Sequence, residues 1–141
     1  MSISSSGAVP LLSNQAQVLI VDDYADNRLV LKILLQLWGT FVLEAGNGLE
    51  AVEVVRRELP QLVLMDLSMP LMDGFEATRL LKSTPDTMHI PIVAISAHCS
   101  DPRVCAQALA AGCVDCIGKP MDLKKVEALL RTFTQSATKS E

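Results

Sequence analysis

Aromatic residues are scarce in this chain of 141 residues: Phe, Trp and Tyr make up 4% of it, whereas hydrophobic residues make up 50%. The core is therefore expected to consist of aliphatic side chains. An excess of basic residues is also missing. The net charge of −4 gives no reason to expect direct binding to nucleic acid. A chain of this length suits one domain with a full hydrophobic core.

Long apolar runs are absent too. None approaches the ~20 residues that a membrane-spanning helix needs, so no contact with a membrane is expected. The first residues lack the basic start and long apolar segment of a secretory signal. Residues 1–16 are predicted to form a flexible leader and residues 133–141 a flexible tail, on either side of one domain over residues 17–132. With four cysteines and no export signal, the expected location is the cytoplasm, where thiols stay reduced.

Five short apolar runs alternate with helical patterns from Gln17 onward. Uninterrupted apolar runs are typical of parallel strands covered by helices on both faces. Right-handed crossovers then predict an α/β fold, a doubly wound five-stranded parallel sheet with five helices in three layers. The predicted strands are residues 18–21, 41–45, 62–65, 91–96 and 114–118, and the predicted helices are residues 27–38, 46–59 (N-cap Asn47), 75–83, 102–111 and 122–133.

Apolar positions at helical spacing predict which faces of the first and last helices pack on the sheet. The stripe predicted for the first helix is Val30, Ile33, Leu34, Leu37 and Trp38. The residues predicted to face inward from the last helix are Leu123, Val126, Leu129 and Leu130.

Polar residues follow four of the predicted strands. In an open α/β sheet the ligand site lies beyond the carboxyl ends of the strands, where the strand order reverses. In the common 2-1-3-4-5 order the first and third strands are neighbours, so their acidic residues converge. The residues at this edge are Asp22 and Asp23 after the first strand, Asp66 after the third, Ser96 at the end of the fourth and Lys119 after the fifth.

Three converging carboxylates repel one another and need a counter-charge to remain ionised. Mg²⁺ accepts carboxylate ligands and commonly bridges to a phosphate. A carboxylate can also attack phosphorus to give an aspartyl phosphate, with Lys119 and Ser96 offsetting charge on the phosphoryl oxygens. Asp66 stands alone at its strand end and is the candidate nucleophile, whereas Asp22 and Asp23 are candidate metal ligands. The residues therefore predict a Mg²⁺-dependent phosphoacceptor site.

At these positions the chain resembles the receiver domains of response regulators in two-component phosphorelays. The likeness rests on VLIVDDYADN, LVLMDLSMPLMDG, PIVAISA and GCVDCIGKP, and it covers roughly residues 17–132. It implies a flavodoxin-like fold with strand order 2-1-3-4-5. It also implies that the chain is a regulatory phosphoacceptor rather than an enzyme acting on other substrates. The implied partners are a histidine kinase or a histidine phosphotransfer protein, and a downstream protein whose identity the sequence leaves open.

The resemblance also implies roles for individual residues. Asp66 matches the phosphorylated aspartate and, with Asp22, Asp23 and the main-chain carbonyl of Ser68, a Mg²⁺ site. Ser96 matches the switch hydroxyl and Lys119 the phosphate-pairing lysine, and a cis bond is expected between Lys119 and Pro120. The position three before the lysine, usually Tyr or Phe in the family, is Cys116. His98, two residues beyond Ser96, is a candidate for tuning the lifetime of the phosphoryl group.

The sequence leaves one further interpretation of the chain open and argues against two others. It could be the receiver portion of a hybrid histidine kinase. An aspartate-nucleophile phosphatase would typically carry a second carboxylate two residues after the nucleophile, where this chain has Ser68. A flavodoxin-like nucleotide binder would need a glycine-rich loop after the first strand, where acidic residues stand instead. Asp73 before Gly74 is expected to be a turn residue.

The four cysteines are not expected to form a metal or redox site. Zinc wants four ligands, and Cys99 and Cys105 are predicted to lie in a loop and a helix, where their pairing would be poor. Cys113 and Cys116 lie in extended chain, with Cα atoms ~10 Å apart, which is too far for a disulfide. Small buried apolar roles are predicted for both.

Overall fold

The computed structural model describes residues 16–139, which form five strands and five helices in alternation. The strands are parallel and lie in the order β2-β1-β3-β4-β5, so the predicted topology is confirmed. Residues 1–15 of the expected leader lie outside the described residues. The bounds are β1 Gln17–Val21, α1 Ala25–Leu37, β2 Phe41–Ala45, α2 Gly48–Glu58, β3 Leu62–Asp66, α3 Gly74–Lys82, β4 Ile92–Ser96, α4 Pro102–Ala111, β5 Asp115–Gly118 and α5 Leu123–Lys139.

The sheet has a hydrophobic layer on each face, because successive residues of a strand point to opposite sides. On one face, strand residues such as Leu19 and Met65 pack with α2, α3 and α4. On the other, Ile20 and Leu64 pack with α1 and α5. β3 and β4 are buried along their whole length, as expected for strands covered on both sides.

Helix α1 faces the core with a different stripe from the one predicted. Leu31 and Leu35 are its buried residues, and Leu34 and Trp38 pack partly against the same layer. Val30, Ile33 and Leu37 are 70%, 49% and 74% exposed, so the prediction was wrong for these three. Apolar residues cover most of the circumference of this helix, so their spacing alone does not select the inward face.

Helix α5 also departs from the prediction at both ends. Leu123, at its start, is 51% exposed, whereas Val126 and Leu130 are fully buried as predicted. The helix continues to Lys139 rather than ending at Phe133. Thr134 is buried, and its hydroxyl donates to the carbonyl of Leu130 one turn earlier in α5. The helix is therefore still packed and hydrogen-bonded at the residue after Phe133.

Polar side chains define the starts of α2 and α3. Asn47 caps α2 by accepting a hydrogen bond from the backbone N–H of Glu50 at 2.9 Å. Asp73 does the same for α3 with the N–H of Glu76, also at 2.9 Å. Among residues 16–139, no helix is long and apolar enough to cross a membrane.

Candidate functional site

Acidic side chains meet at the carboxyl ends of β1 and β3. These two strands are neighbours, with Val21 opposite Met65, so Asp22 and Asp66 leave the sheet side by side. Asp22, Asp23 and Asp66 each place a carboxylate oxygen within 4.8 Å of the other two. Asp22 and Asp66 are buried, whereas Asp23 is exposed. The sheet order alone therefore assembles an acidic pocket that opens to solvent on one side.

Lys119 closes this group of acids from the end of β5. Its Nζ lies 3.0 Å from Oδ2 of Asp66 and 3.4 Å from Oδ2 of Asp22. Its backbone N–H donates to the carbonyl of Ser96 at 3.1 Å, and the Lys119–Pro120 peptide bond is cis. One ammonium thus contacts two carboxylates that come from different strands.

Ser96, Ser68 and His98 lie on the loops around this pocket. Ser96 is buried at the end of β4, and its hydroxyl accepts the backbone N–H of His98 at 2.9 Å. No hydrogen bond joins that hydroxyl to Asp66 within the described part of the chain. Ser68 is exposed, and its N–H donates to Oδ1 of Asp66 at 3.0 Å. His98 is exposed.

The first turn of α1 holds Asp22 in place, which sequence reasoning missed. Oδ1 of Asp22 accepts the N–H of Tyr24 at 2.9 Å, and Oδ2 is 3.4 Å from the side-chain nitrogen of Asn27. Arg28 donates from Nη1 to the carbonyl of Asp22 at 2.6 Å. The pattern DDYADNR places Asn27 and Arg28 one turn beyond the acids, which is the signal that could have indicated these contacts.

Burial and charge act against each other on the two central groups. Burial raises the pKa of Asp66, and the nearby Asp22 carboxylate raises it further, which outweighs the lowering by Ser68 N–H and Lys119. Burial lowers the pKa of Lys119, but its bonds to Asp66 and Asp22 hold that pKa above its ordinary value. Lys119 therefore carries a positive charge. For Asp66, the bonds from Ser68 N–H and Lys119 offset only part of the free-energy cost of burying its carboxylate.

The acidic group fits a hard divalent cation. Its donors are all oxygens, which Mg²⁺ prefers, and one acid is open to solvent, so water can complete the coordination. A single lysine does not balance three carboxylates. Asp22, Asp23 and Asp66 would hold the ion, with the carbonyl of Ser68 as a further donor on the adjacent loop.

A second group of chemically active side chains lies near β5, and it corrects the prediction for the cysteines. The sulfurs of Cys99, Cys105 and Cys116 lie within 4.8 Å of one another. The predicted poor pairing of Cys99 with Cys105 was wrong, since their Sγ atoms are 3.3 Å apart. The adjacency of β4 and β5 brings the loop after β4 over Cys116, a contact that strand order could have indicated. Cys113 and Cys116 are both buried, as predicted.

Comparison with known proteins agrees with this geometry. Residues 18–131 match the response regulator receiver domain family. The transcriptional regulatory protein ZraR of Klebsiella oxytoca is 36% identical over 116 residues, which are 82% of this chain and 26% of that regulator. The chain therefore spans about a quarter of that relative's length.

Two solved structures share the fold. The receiver domain of the sensor histidine kinase PA1611 of Pseudomonas aeruginosa, with a magnesium ion coordinated in its active-site cleft, has a TM-score of 0.76 and 28% identity over 84% of this chain and 97% of its own. The receiver domain of the Saccharomyces cerevisiae response regulator Ssk1, in complex with the phosphotransfer protein Ypd1, has a TM-score of 0.79 and 26% identity over 85% of this chain. The match covers 89% of the Ssk1 receiver chain.

The doubly wound parallel sheet, with acids and Lys119 together at its carboxyl edge, has the arrangement expected of a phosphoacceptor regulator. This chain belongs to the response regulator receiver domain family.

Proposed function

We propose that Asp66 takes a phosphoryl group from a phosphohistidine and that the chain signals through the resulting change at its surface. The observation that carries this proposal is the buried Asp66 carboxylate, paired with Lys119 at 3.0 Å inside a group of three acids. An isolated surface aspartate would have no such surroundings.

In the proposed step, a carboxylate oxygen of Asp66 attacks the phosphorus of the donor and forms an acyl phosphate. The P–N bond to the donor imidazole breaks, and that imidazole keeps the bonding electron pair and takes up a proton. Lys119 is placed to pair with the phosphoryl oxygens, and the Ser96 hydroxyl is one strand away on the same edge. Mg²⁺, when bound by Asp22, Asp23, Asp66 and the Ser68 carbonyl, neutralises negative charge on the acids and the phosphoryl oxygens.

The same chain would return to its starting state by hydrolysis of the acyl phosphate. We propose that the chain promotes only its own phosphorylation and dephosphorylation. We propose that His98, exposed two residues from Ser96, affects access of water to the phosphoryl group. We place these reactions in the cytoplasm, in keeping with the four free cysteines of the described chain.

The donor is proposed to dock beside the acidic pocket, on α1. A groove of about 300 Å³ runs from Asp22 and Lys119 to Val30, Leu34 and Leu123. Its apolar wall includes the exposed Val30 of α1, so a partner helix seated there would lie against Lys119, which contacts Asp66. A helix carrying the phosphohistidine of a histidine kinase or phosphotransfer protein is the proposed occupant. The complex of Ssk1 with Ypd1 shows that a receiver of this fold can bind such a partner.

Labelling of the purified protein tests the acceptor. With Mg²⁺ and a small acyl phosphate donor, the wild type is expected to gain one base-labile phosphate, resolved as a slower band in a phosphate-affinity gel. Asp66→Asn should gain none. Asp73→Asn is a matched control, because Asn can still cap α3, and it should label like the wild type. Equal labelling of Asp66→Asn and wild type would refute the assignment.

A further inference from the structure

Three cysteines from separate elements place their sulfurs together on the side of the sheet that carries α2, α3 and α4. Cys99 is in the loop after β4, Cys105 is in α4 and Cys116 is on β5. Sγ of Cys99 lies 2.9 Å from Sγ of Cys116 and 3.3 Å from Sγ of Cys105. The fourth cysteine, Cys113, lies apart, with its sulfur 3.8 Å from the Thr78 hydroxyl.

The donor set of this thiol cluster, Cys99, Cys105 and Cys116, is purely sulfur. Thiolates select soft ions such as Cu(I) and Zn(II) over the hard ions that carboxylates prefer. Zn(II) in structural sites takes four protein ligands, and within the described residues this cluster supplies three. Cu(I), a monovalent soft ion, is satisfied by three thiolates without a fourth protein ligand.

The cluster has the size that such an ion needs. Three sulfurs at ~2.3 Å from a common centre stand ~4 Å apart. The observed Sγ–Sγ distances of 2.9 and 3.3 Å are shorter than this, so a small outward movement of the side chains makes room for the ion. Cys99 and Cys105 are half-buried and give access from solvent, whereas Cys116 is buried and shields the site from water.

We propose that Cys99, Cys105 and Cys116 form a binding site for one Cu(I) ion. On binding, the three thiols lose their protons to solvent and their sulfurs each donate an electron pair to the ion. The product carries two negative charges.

The empty cluster lacks the properties of an oxidant sensor. Burial, and then the neighbouring sulfurs of Cys99 and Cys105, raise the pKa of the Cys116 thiol. Cysteines that sense oxidants are instead thiolates of low pKa and good exposure. A bound cation reverses this balance, because a coordinated thiol is deprotonated outright.

Binding at this cluster would join three elements near the phosphoacceptor pocket. Cys99 is three residues beyond Ser96, whose hydroxyl holds the same loop through the N–H of His98. An ion that ties Cys99 to α4 and β5 fixes this loop. Two sites that bias one element affect each other reciprocally. This coupling rests on the proposed function, whereas the metal site itself does not.

Competition with a chromogenic Cu(I) chelator, without oxygen and with a non-thiol reductant, tests the metal site. The wild type is expected to take one equivalent of Cu(I) from the dye, and Cys113→Ser, a matched loss of one thiol outside the cluster, should do the same. Cys99→Ser and Cys105→Ser, which alter half-buried rather than fully buried positions, should bind at least tenfold more weakly. Circular dichroism checks that each variant is folded.

Several outcomes would overturn the site. One is full Cu(I) uptake by both Cys99→Ser and Cys105→Ser, and another is its loss in Cys113→Ser. Uptake of Zn(II) but not Cu(I) in a parallel titration would overturn the choice of ion.

The coupling has a separate readout. The lifetime of the phosphorylated wild type should change at least twofold when Cu(I) is added, and that of Cys105→Ser should not. An unchanged lifetime alongside clear Cu(I) uptake would refute the coupling and leave the metal site standing. Failure of Asp66 to label at all would count against the proposed function instead.

Discussion

At Asp66, burial of the carboxylate and its hydrogen bonds to Lys119 and Ser68 change the pKa in opposite directions. Its raised pKa means that the folded protein holds the protonated form better than the unfolded chain does. The stability from this preference is present below the unfolded pKa and is lost as the pH rises through the folded pKa. At neutral pH without a divalent cation, ionised Asp66 is therefore a cost to the fold.

Removing that charge should stabilise the protein. We expect Asp66→Asn to raise the free energy of unfolding by about 1 kcal/mol at pH 7 without Mg²⁺, a common size for a single change. Mg²⁺ should stabilise the wild type more than the variant, since the variant has lost one ligand. Urea unfolding with and without Mg²⁺ measures both effects, and a less stable Asp66→Asn without Mg²⁺ would contradict the prediction.

Cys116 replaces the residue that is usually aromatic in the family, and the structure shows what occupies the space around it. It is buried, with the sulfurs of Cys99 and Cys105 against it. We expect Cys116→Tyr to cost about 1–3 kcal/mol of stability if its ring turns inward, because the site is already filled. Thermal unfolding measures this cost, and Cys116→Ser is the control for loss of the sulfur alone.

The same variant tests how the signal leaves the domain. Output is expected not to depend on an aromatic side chain at this position, so Cys116→Tyr should leave the effect of phosphorylation on partner affinity unchanged. A tenfold gain in that effect, ~1.4 kcal/mol, would show that the aromatic was needed.

Helix α1 is an element with apolar residues on two sides. One side packs on the sheet through Leu31 and Leu35, and the other leaves Val30, Ile33 and Leu37 in solvent. Exposed apolar area next to a reactive group is typical of a surface that a partner covers. This exposed face begins beside the charged pocket, where Val30 lines the groove next to Asp22 and Lys119, which supports the proposal that a donor docks there.

A charge on this face should weaken transfer from a protein donor only. We expect Val30→Glu to slow phosphotransfer from a histidine phosphotransfer protein by tenfold or more and to leave labelling by a small donor unchanged. Leu49→Glu is the matched control, since Leu49 is 52% exposed on α2, across the sheet from α1. Equal slowing by both variants, or by neither, would count against docking on α1.

The start of α3 packs against the backbone of Asp66. A Cβ added at Gly74 would lie 2.3 Å from the carbonyl oxygen of Asp66 and 2.8 Å from Cα of Leu67. Both are backbone atoms, so the strand end or the helix would have to move. Only glycine permits this close approach.

Gly74→Ala is therefore expected to lower the free energy of unfolding by about 1–3 kcal/mol and to reduce labelling of Asp66. Gly46→Ala is the control, since a Cβ there would meet only side-chain atoms, at 3.5 and 3.6 Å. Denaturant unfolding and the phosphate-affinity gel provide the two measurements. Comparable losses in both variants would show that the close approach at Gly74 is not the cause.

At the scale of the whole molecule, the sequence predicted the sheet better than the faces of its helices. Continuous apolar runs between polar ends indicate buried parallel strands, and the residues after them, such as Asp66 and Lys119, meet because parallel strands end at one edge. Helix α1 was misjudged because both of its faces are apolar. The adjacency of β4 and β5 could have placed the loop after β4 over Cys116, but the approach of Cys105 from α4 depends on how that loop folds, which no periodic pattern encodes.

The buried thiols should make the whole fold sensitive to alkali. Burial raises the pKa of Cys113, which Thr78 and Lys82 only partly oppose. A raised folded pKa gives stability that is complete below the unfolded pKa and falls as the pH rises above it, by up to ~1.4 kcal/mol per pH unit for one thiol. Urea unfolding at pH 8, 9 and 10 with a reductant measures the free energy of unfolding at each pH. That free energy should fall less steeply with pH for Cys113→Ala than for the wild type, and equal slopes for the two proteins would contradict this.

The division of the core into two layers separates two surfaces of this molecule in space. The face that would choose a donor rests on α1 and α5, and the sulfur-rich face rests on α4 and β5, with the sheet between them. Substitutions in layers that do not touch combine almost independently. A lineage could therefore exchange its upstream partner, or gain and lose the three cysteines, one face at a time, while the acid edge that both faces share stays the same.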